Sequence, residues 1–597
     1  VTYSGYQVQQ NMVVPTCHPG QVRVMAEQYP PSKSKWETVE VEPGQIRIDW
    51  KHTLIDKPGF SDRAKPKSDF CKEDLERLNW PAALTFTHGL GGIACSGARP
   101  MVSAKTGYVS GKALLGRIYR RPAPKPWGGT GPQAGIWEKA WSFVDELLPG
   151  FEGSRLGDAE WLASMPSKRQ KPLKRGFEDL DRYGFNPRTH GRFQAFVKTE
   201  LLPGFDKDKE GLTPMKEMLD RLIQGPHDVA HCIVGPWVKP MVKKLKKLWH
   251  DENVIFYGSS SPEALHKWLQ SLISDGQRQY FWCDFKMFDN THSVDSWTFM
   301  EKLYRRWGVD EARFWDVMEA WRAPRGRCGP FKYQANVMNA SGRDDTALAN
   351  GVLNGIAMFL SITAAWNRVD VKDVTLEMVR HARTFLKLSV CGDDSLGSLP
   401  MVSEERMAEL RRDISYGISQ FGFEAKLFSS EKLYDSVYLG MRPYPTSKGW
   451  FWGKTIGRST YKMGWALLKN DMDLAAHITG VADMHVLCSS HVPVLADLAQ
   501  AIVRCRVGCK RTPVALDPDR PWEWTFKGGV DYDDLTLQAV ADMYTVKKQP
   551  GYPRDPEHSV VTVSDVKSLI SEIQKIKRIP CVVDHWLWRH IIWVDDL

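Results

Sequence analysis

The chain lacks the cysteine pattern of a disulfide scaffold. Its 11 Cys are odd in number, scattered, and include no CxxC pair, which fits a reducing compartment better than a stapled secreted domain. It lacks a signal-peptide pattern at its start. Because it begins at Val1 rather than Met, we expect a cleavage product or part of a longer translation product. No apolar run reads as a membrane span: the longest, 351–366, is interrupted by Asn354, Ser361 and Thr363 and reads as a buried helix. There is no internal repeat and no long low-complexity tract. Phosphate loops are missing as well. Gly107-YVS-Gly111-Lys112-Ala113 has one residue too few between its glycines and no Ser/Thr after Lys112, and His88-GLGG lacks the GxGxxG spacing. Both read as turns, which disfavours a P-loop helicase. Methyltransferase and protease signals are absent too.

What is present is a large core and an uneven charge. With 597 residues, 42% hydrophobic, the chain has length for about three or four structural units and cannot be globally disordered. Twenty-four Trp either fill that core or offer stacking surfaces. Residues 161–250 carry 18 Lys/Arg against 10 Asp/Glu, nearly all of the net +9. A local basic surface of this kind suits a polyanionic partner, and equally suits a solvated helix face. Apolar periodicity predicts helices over 262–273, 296–307 and 310–321. Tyr280-Phe-Trp-Cys leads as a strand into Asp284. Leu386-Lys-Leu-Ser-Val and Leu396 flank a hairpin with Gly392 and Asp393 at its tip. After Pro443 the pattern is largely helical.

Four segments follow in order: Asp284-FKMF-Asp289 at a strand end; Ser341-Gly342-RDD-Thr346-ALA-Asn350, a loop opening a helix; Gly392-Asp393-Asp394; and Gly422-FEA-Lys426 before another strand. Each is weak alone. Together they would gather carboxylates if the strands are neighbours in one sheet. Such a cluster is costly without cations, and all-oxygen ligands suit Mg²⁺.

The ordered set resembles the viral RNA-dependent RNA polymerases, and in particular the tombusvirus-like group of positive-strand RNA viruses. Asp284-FKMF-Asp289 is similar to the family's motif A, Ser341-Gly-xxx-Thr346-xxx-Asn350 to motif B, Gly392-Asp393-Asp394 to motif C, the Lys426 segment to motif D, and Val437-YLGMR-Pro443 to motif E. Phe196-Val-Lys198-Thr-Glu200 and Arg221-Leu-Ile-Gln224 resemble the basic motif F. The likeness spans about residues 190–445. It departs at Asp345, where the group usually has Asn, and at Cys391 and Ser395 around motif C, and it is loose between 221 and 247.

The resemblance implies an α+β, right-handed polymerase whose antiparallel palm sheet is flanked by helices. Fingers and palm would lie in 166–445, with the palm around 276–300 and 336–445, and the thumb in 446–597. Residues 1–165 would bridge fingers and thumb. It implies RNA-directed RNA synthesis from NTPs, with RNA template and product as partners, in replication of a positive-strand RNA virus genome. The cofactor would be Mg²⁺, or Mn²⁺ in its place, held by Asp284, Asp393 and Asp394. Asp289 and Asn350 would read the ribose 2′-hydroxyl, with Ser341 and Gly342 in a flexible loop near the nucleotide and Thr346 supporting them. Lys198 and Arg221 would neutralise the triphosphate, and Lys426 would protonate pyrophosphate. Replication sites of this group are membrane-associated in the host cytoplasm, so an upstream viral segment or protein would supply the anchor. Reverse transcriptases generally carry an aromatic-x-Asp-Asp motif and a bulky residue screening the sugar, so Asp289 and Asn350 point away from that rival. A non-catalytic RNA-binding protein would explain the basic stretch but not the ordered carboxylates.

Softer signals remain. Lys243, Lys244, Lys246 and Lys247 read as a solvated helix face or as a grip on the template backbone. Trp450-Phe-Trp452 and Trp586, Trp588 and Trp593 read as core, with a stacking platform for initiating nucleotides as the rival. His485, Cys488, His491, Cys505 and Cys509 have spacings tolerable for zinc but match no standard finger.

Overall fold

The computed structural model describes residues 133–595 apart from 151–152, 203–219, 251–254, 259–261, 275, 277, 330, 468–473, 506–529, 546–559 and 580, with short pieces of 1–132. The described residues form an α+β arrangement organised on a five-stranded sheet. Its spatial order is Ile255–Tyr257, Lys387–Cys391, Asp394–Pro400, Arg278–Phe285 and Ala425–Ser430. The sheet is antiparallel except at one edge, where Ile255–Tyr257 runs parallel to Lys387–Cys391. That edge corrects the expected all-antiparallel sheet. A parallel neighbour needs a crossover rather than a hairpin, and the long chain between the two strands supplies it.

The Arg278–Phe285 strand shows why this sheet forms. Successive side chains point to opposite faces. Phe281, Cys283 and Phe285 enter the main core with Leu388 and Val390, while Tyr280 and Trp282 enter another with Phe256, Trp268 and Leu396. With both faces covered, every residue of the strand is buried except Asp284. Helices supply the cover. Thr346–Asn367 packs along Glu404–Gln420 and against Lys387–Cys391, and Pro262–Ser274 lies over the opposite face. Thr346–Asn367 is long and apolar enough to cross a membrane, yet 94% of its apolar window is buried in the protein, in agreement with the core-helix expectation. Each fully buried Leu, Ile, Met or Phe there contributes about 1.5–3 kcal/mol. The other periodic segments form Val294–Arg306 and Ala312–Arg322. Ser293 and Ser296 close a reciprocal capping box at the start of the first.

A second sheet, ordered Leu222–Pro226, Phe193–Val197, Arg325–Cys328 and Phe331–Gln334, lies under the basic stretch. The lysines at 243–247 sit on the Asp228–Leu248 helix, with Lys243 and Lys247 exposed and Leu245 buried. The region after Pro443 is helical around its own core, but it opens with a hairpin, Met441–Thr446 and Gly449–Lys454, that helical patterning did not anticipate. Trp452 and Trp588 are fully buried and Trp593 nearly so; Trp450 stacks on Tyr434. Core packing thus accounts for Trp452, Trp588 and Trp593, while Trp450 and Trp586 are half-buried.

Of the turn expected at His88-GLGG, Leu90–Gly92 is instead a short strand paired with Trp465–Leu467. Likewise Met101–Val102 pairs with Leu201–Leu202, and Trp137 packs on Phe299, Phe421 and Phe423. Most of the Gly107–Ala113 stretch lies outside the described residues.

Candidate active site

The sheet brings the expected carboxylates to one end. Lys387–Cys391 and Asp394–Pro400 are joined by the two-residue turn Gly392-Asp393, with Cys391 opposite Asp394. Gly392 has φ +62, and a first turn residue at positive φ matches the strand twist at no steric cost when it is glycine. On the neighbouring strand Cys283 pairs with Ser395. The next step sets Asp284 level with Asp394, beside the turn. Met287, at φ 54, then bends the chain so that Asp289 reaches the Thr346–Asn367 helix, a strained left-handed residue at the site.

Asp284, Asp393 and Asp394 face open space, yet protein crowds round the last two. Burial raises Asp393 above the usual carboxylate range, with its own backbone N–H and Arg221 opposing. Burial, then the charges of Asp393 and Asp284, push Asp394 up to about 7, against Arg458 and Arg221. Repelling carboxylates thus share one end of the sheet. Among the described residues no group of three or more His, Cys, Asp and Glu side chains encloses a metal position. The donor set still fits Mg²⁺, which takes one or two carboxylates and completes its shell with water and substrate phosphates.

The helix beside the turn carries two asparagines one turn apart. Asn350 Nδ2 donates to Asp289 Oδ1 at 2.6 Å. Burial pushes Asp289 up to about 6 despite that bond, with Asp393 adding to the rise and Arg343 and Arg221 opposing it. Asn354, fully buried, donates through Nδ2 to the carbonyls of Gly392 at 3.0 Å and Asp394 at 3.2 Å. Asn354 therefore pins the acidic turn to the helix that carries Asn350. The sequence reading registered it only as an interruption of an apolar run; its signal was a polar residue four positions after Asn350. Asn354→Leu keeps the volume and leaves two carbonyls short of a donor. It should cost about 1–3 kcal/mol in urea unfolding and lower any activity of the site about tenfold or more through misplacement of the turn.

Side-chain bonds brace the 341–346 loop. Ser341 Oγ donates to the Leu222 carbonyl at 3.0 Å, and Thr346 Oγ1 to the Ala340 carbonyl at 2.9 Å. A Cβ on Gly342 would lie 2.2 Å from the Gln224 carbonyl oxygen, so glycine is there for close approach. Arg343 and Asp345 form a buried two-bond ion pair, and Tyr304 also donates to Asp345. Asp344 meets His231 Nδ1 at 2.8 Å.

Burial pulls the His231 pKa down, but the charge and hydrogen bond of Asp344, helped by Asp228 and opposed by Arg169, leave it raised. A raised histidine stabilises most below its unfolded pKa of roughly 6.5, and the gain fades as pH rises through the folded value. His231→Asn should therefore cost roughly 1–2 kcal/mol at acidic pH and progressively less towards alkaline pH. A gap in melting temperature that widened with pH would contradict the pairing.

Lys198 and Arg221 stand at neighbouring strand ends of the second sheet. They share Glu200, with Lys198 Nζ at 2.9 Å and Arg221 Nη1 at 3.5 Å, and the Lys198 N–H donates to the Arg221 carbonyl. The Arg221 charge reaches Asp289, Asp393 and Asp394. Two arginines outside the motifs join them. Arg117 Nε donates to the Asp220 carbonyl beside Arg221, and Arg458 acts on Asp394. Lys426 sits directly across from Asp284.

Among the described residues the candidate zinc ligands form no metal-holding group. His491 Nε2 lies 3.0 Å from the Trp452 carbonyl, His485 bonds Ser489, and Cys505 donates to Ile576 O. Cys509 lies outside the described residues. No protein-family model matches the chain, and no curated protein is significantly similar to it.

Proposed function

We propose that this chain is an RNA-directed RNA polymerase resembling those of tombusvirus-like positive-strand RNA viruses. The observation that carries the reading is the register. Asp284 stands level with the Asp393-Asp394 turn on the neighbouring antiparallel strand, with the Asp289–Asn350 bond beside them. In this reading the central sheet and its helices are the palm, and the sheet under the basic stretch belongs to the fingers. The region after 445 is the thumb. The pairing of Leu90–Gly92 and Met101–Val102 with strands on either side supports residues 1–165 as a bridge between them.

Divalent cations, when bound, would neutralise phosphate charge and activate the 3′-hydroxyl for attack on the α-phosphate. Asp284 and Asp393 would hold them, with Asp394 assisting. The side chains do the rest by positioning and charge, since phosphoryl transfer asks for little covalent chemistry from protein. Arg221 and Lys198 bind the triphosphate; the planar Arg fork fits phosphate well. Asp289 and Asn350 accept from and donate to the 2′-hydroxyl, which offers both roles. Lys426 gives a proton to departing pyrophosphate. Genome replication would take place on host cytoplasmic membranes. The anchor would come from an upstream segment or viral partner.

The test is incorporation of labelled NTPs on a short RNA template with Mg²⁺ or Mn²⁺, against the same reaction with dNTPs. Template-dependent product and pyrophosphate from NTPs are expected. RNA binding without pyrophosphate release would leave a non-catalytic RNA-binding protein, and preference for dNTPs would leave a reverse transcriptase.

A further inference from the structure

The Asp289–Asn350 contact has a third member. Asn339 is 1% exposed. Its backbone N–H donates to the Asp289 carbonyl at 2.9 Å, and its side-chain Nδ2 donates to Asn350 Oδ1 at 2.7 Å. An ionised carboxylate can only accept, so Asp289 requires the amino end of Asn350. That requirement turns the Asn350 carbonyl towards Asn339, which must then present an amino group of its own. One charge thereby orients two amides in series, and the series ends at Asn339 Oδ1, which has no partner among the described residues.

We propose that Asn339 is a positioning residue for sugar selection, holding the Asn350 amide in the one orientation in which the Asp289–Asn350 pair can recognise a ribose 2′-hydroxyl. The inference rests on the ribose-reading role proposed above for that pair. The two orientations of an asparagine amide are nearly equal in shape, so packing alone does not choose between them. Once Asn339 is removed, the Asn350 carbonyl loses its donor and the Asp289 bond alone holds the amide, so the side chain can tilt out of the plane in which its second N–H meets the sugar. Asn339 itself need not touch the nucleotide. A residue that merely filled space here would alter stability and leave the choice between ribose and deoxyribose unchanged.

The experiment compares kcat/KM for one NTP and its 2′-deoxy counterpart. The proteins are the unaltered chain, Asn339→Ala, Asn339→Leu, Asn350→Ala and the double variant Asn339→Ala/Asn350→Ala, with melting temperatures alongside. The NTP:dNTP ratio should fall roughly 3- to 10-fold in Asn339→Ala, the value of one hydrogen bond, chiefly through loss on the NTP side. The double variant should show the ratio of Asn350→Ala alone, because the two residues act through one amide. Should Asn339→Ala fail to fold, Asn339→Leu keeps the volume and carries the same comparison. A ratio lowered by Asn350→Ala but untouched at position 339 overturns the proposal. A ratio untouched by either substitution overturns the ribose-reading role beneath it.

Discussion

Asp393→Ala should reduce templated nucleotide incorporation by roughly 10³-fold or more, while the cation-free protein melts no earlier than the unaltered chain. The two halves of this expectation have one cause. Asp393 is the second residue of a two-residue turn, exposed, with the glycine before it already supplying the unusual backbone angle. Its carboxylate is bonded by its own backbone N–H, so little of the fold depends on the side chain. Its charge, however, raises both Asp394 and Asp289. Removing it relieves repulsion among neighbours, which favours the folded state, and removes a carboxylate proposed to hold the cation. Loss of function without loss of stability marks a residue kept for chemistry. Two measurements decide it: labelled-NTP incorporation, and a thermal melt with and without Mg²⁺. The Mg²⁺-dependent rise in melting temperature should shrink in the variant. Activity within tenfold of the unaltered chain would sink the assignment, and an early melt would make Asp393 a structural residue.

The largest effect on stability is expected at Asp345. Arg343 and Asp345 side chains are 2% and 1% exposed. Two hydrogen bonds join them, Nε to Oδ1 at 2.9 Å and Nη2 to Oδ2 at 2.6 Å. Tyr304 adds a third at 2.9 Å, and the guanidinium lies over Trp297 at 4.4 Å and Trp321 at 5.4 Å. Asp345→Ala strands a buried guanidinium and the Tyr304 hydroxyl together. Breaking a buried pair from one side costs about 3–5 kcal/mol, a large part of the roughly 5–15 kcal/mol that holds a typical domain. Urea unfolding measures it. The double replacement Arg343→Met/Asp345→Leu should recover much of the loss, because the penalty belongs to the unpaired charge rather than to the missing bond. A cost below about 1 kcal/mol for Asp345→Ala would mean that water reaches Arg343. The pair also accounts for an acidic residue immediately before Thr346: Asp345 answers a buried arginine two residues earlier.

Much of the site was legible before the fold. Asp284, Asp289, Asn350, Asp393, Asp394 and Lys426 all lie where a strand end, a helix start or a hairpin tip places them, and those features are written in local sequence. An apolar run of aromatic residues makes a strand, and Gly before Asp makes a tight turn. Apolar residues at helical spacing fixed Val294–Arg306 and Ala312–Arg322 to within two residues at each end. The same local logic failed where the partner is remote. The hairpin at Met441–Lys454 was missed because its two strands stabilise each other rather than following an alternation of their own. Ser341 and Gly342 looked like a flexible loop because small residues are ambiguous until the neighbouring backbone is known. Here that backbone is Leu222 and Gln224, more than a hundred positions earlier.

By itself, the sequence determined which residue types were available for chemistry and which short segments would present them, because helix and strand preference act over a few residues. Only the tertiary structure decided that Asp284 stands level with Asp394, that Asn354 ties the acidic turn to the helix of Asn350, and that Glu200 holds Lys198 and Arg221 together. It also decided that Trp452 and Trp588 serve the core and that His485, His491 and Cys505 face different partners. These outcomes depend on strand order and register. Both are fixed by how whole faces bury against one another, and no spacing along the chain records that.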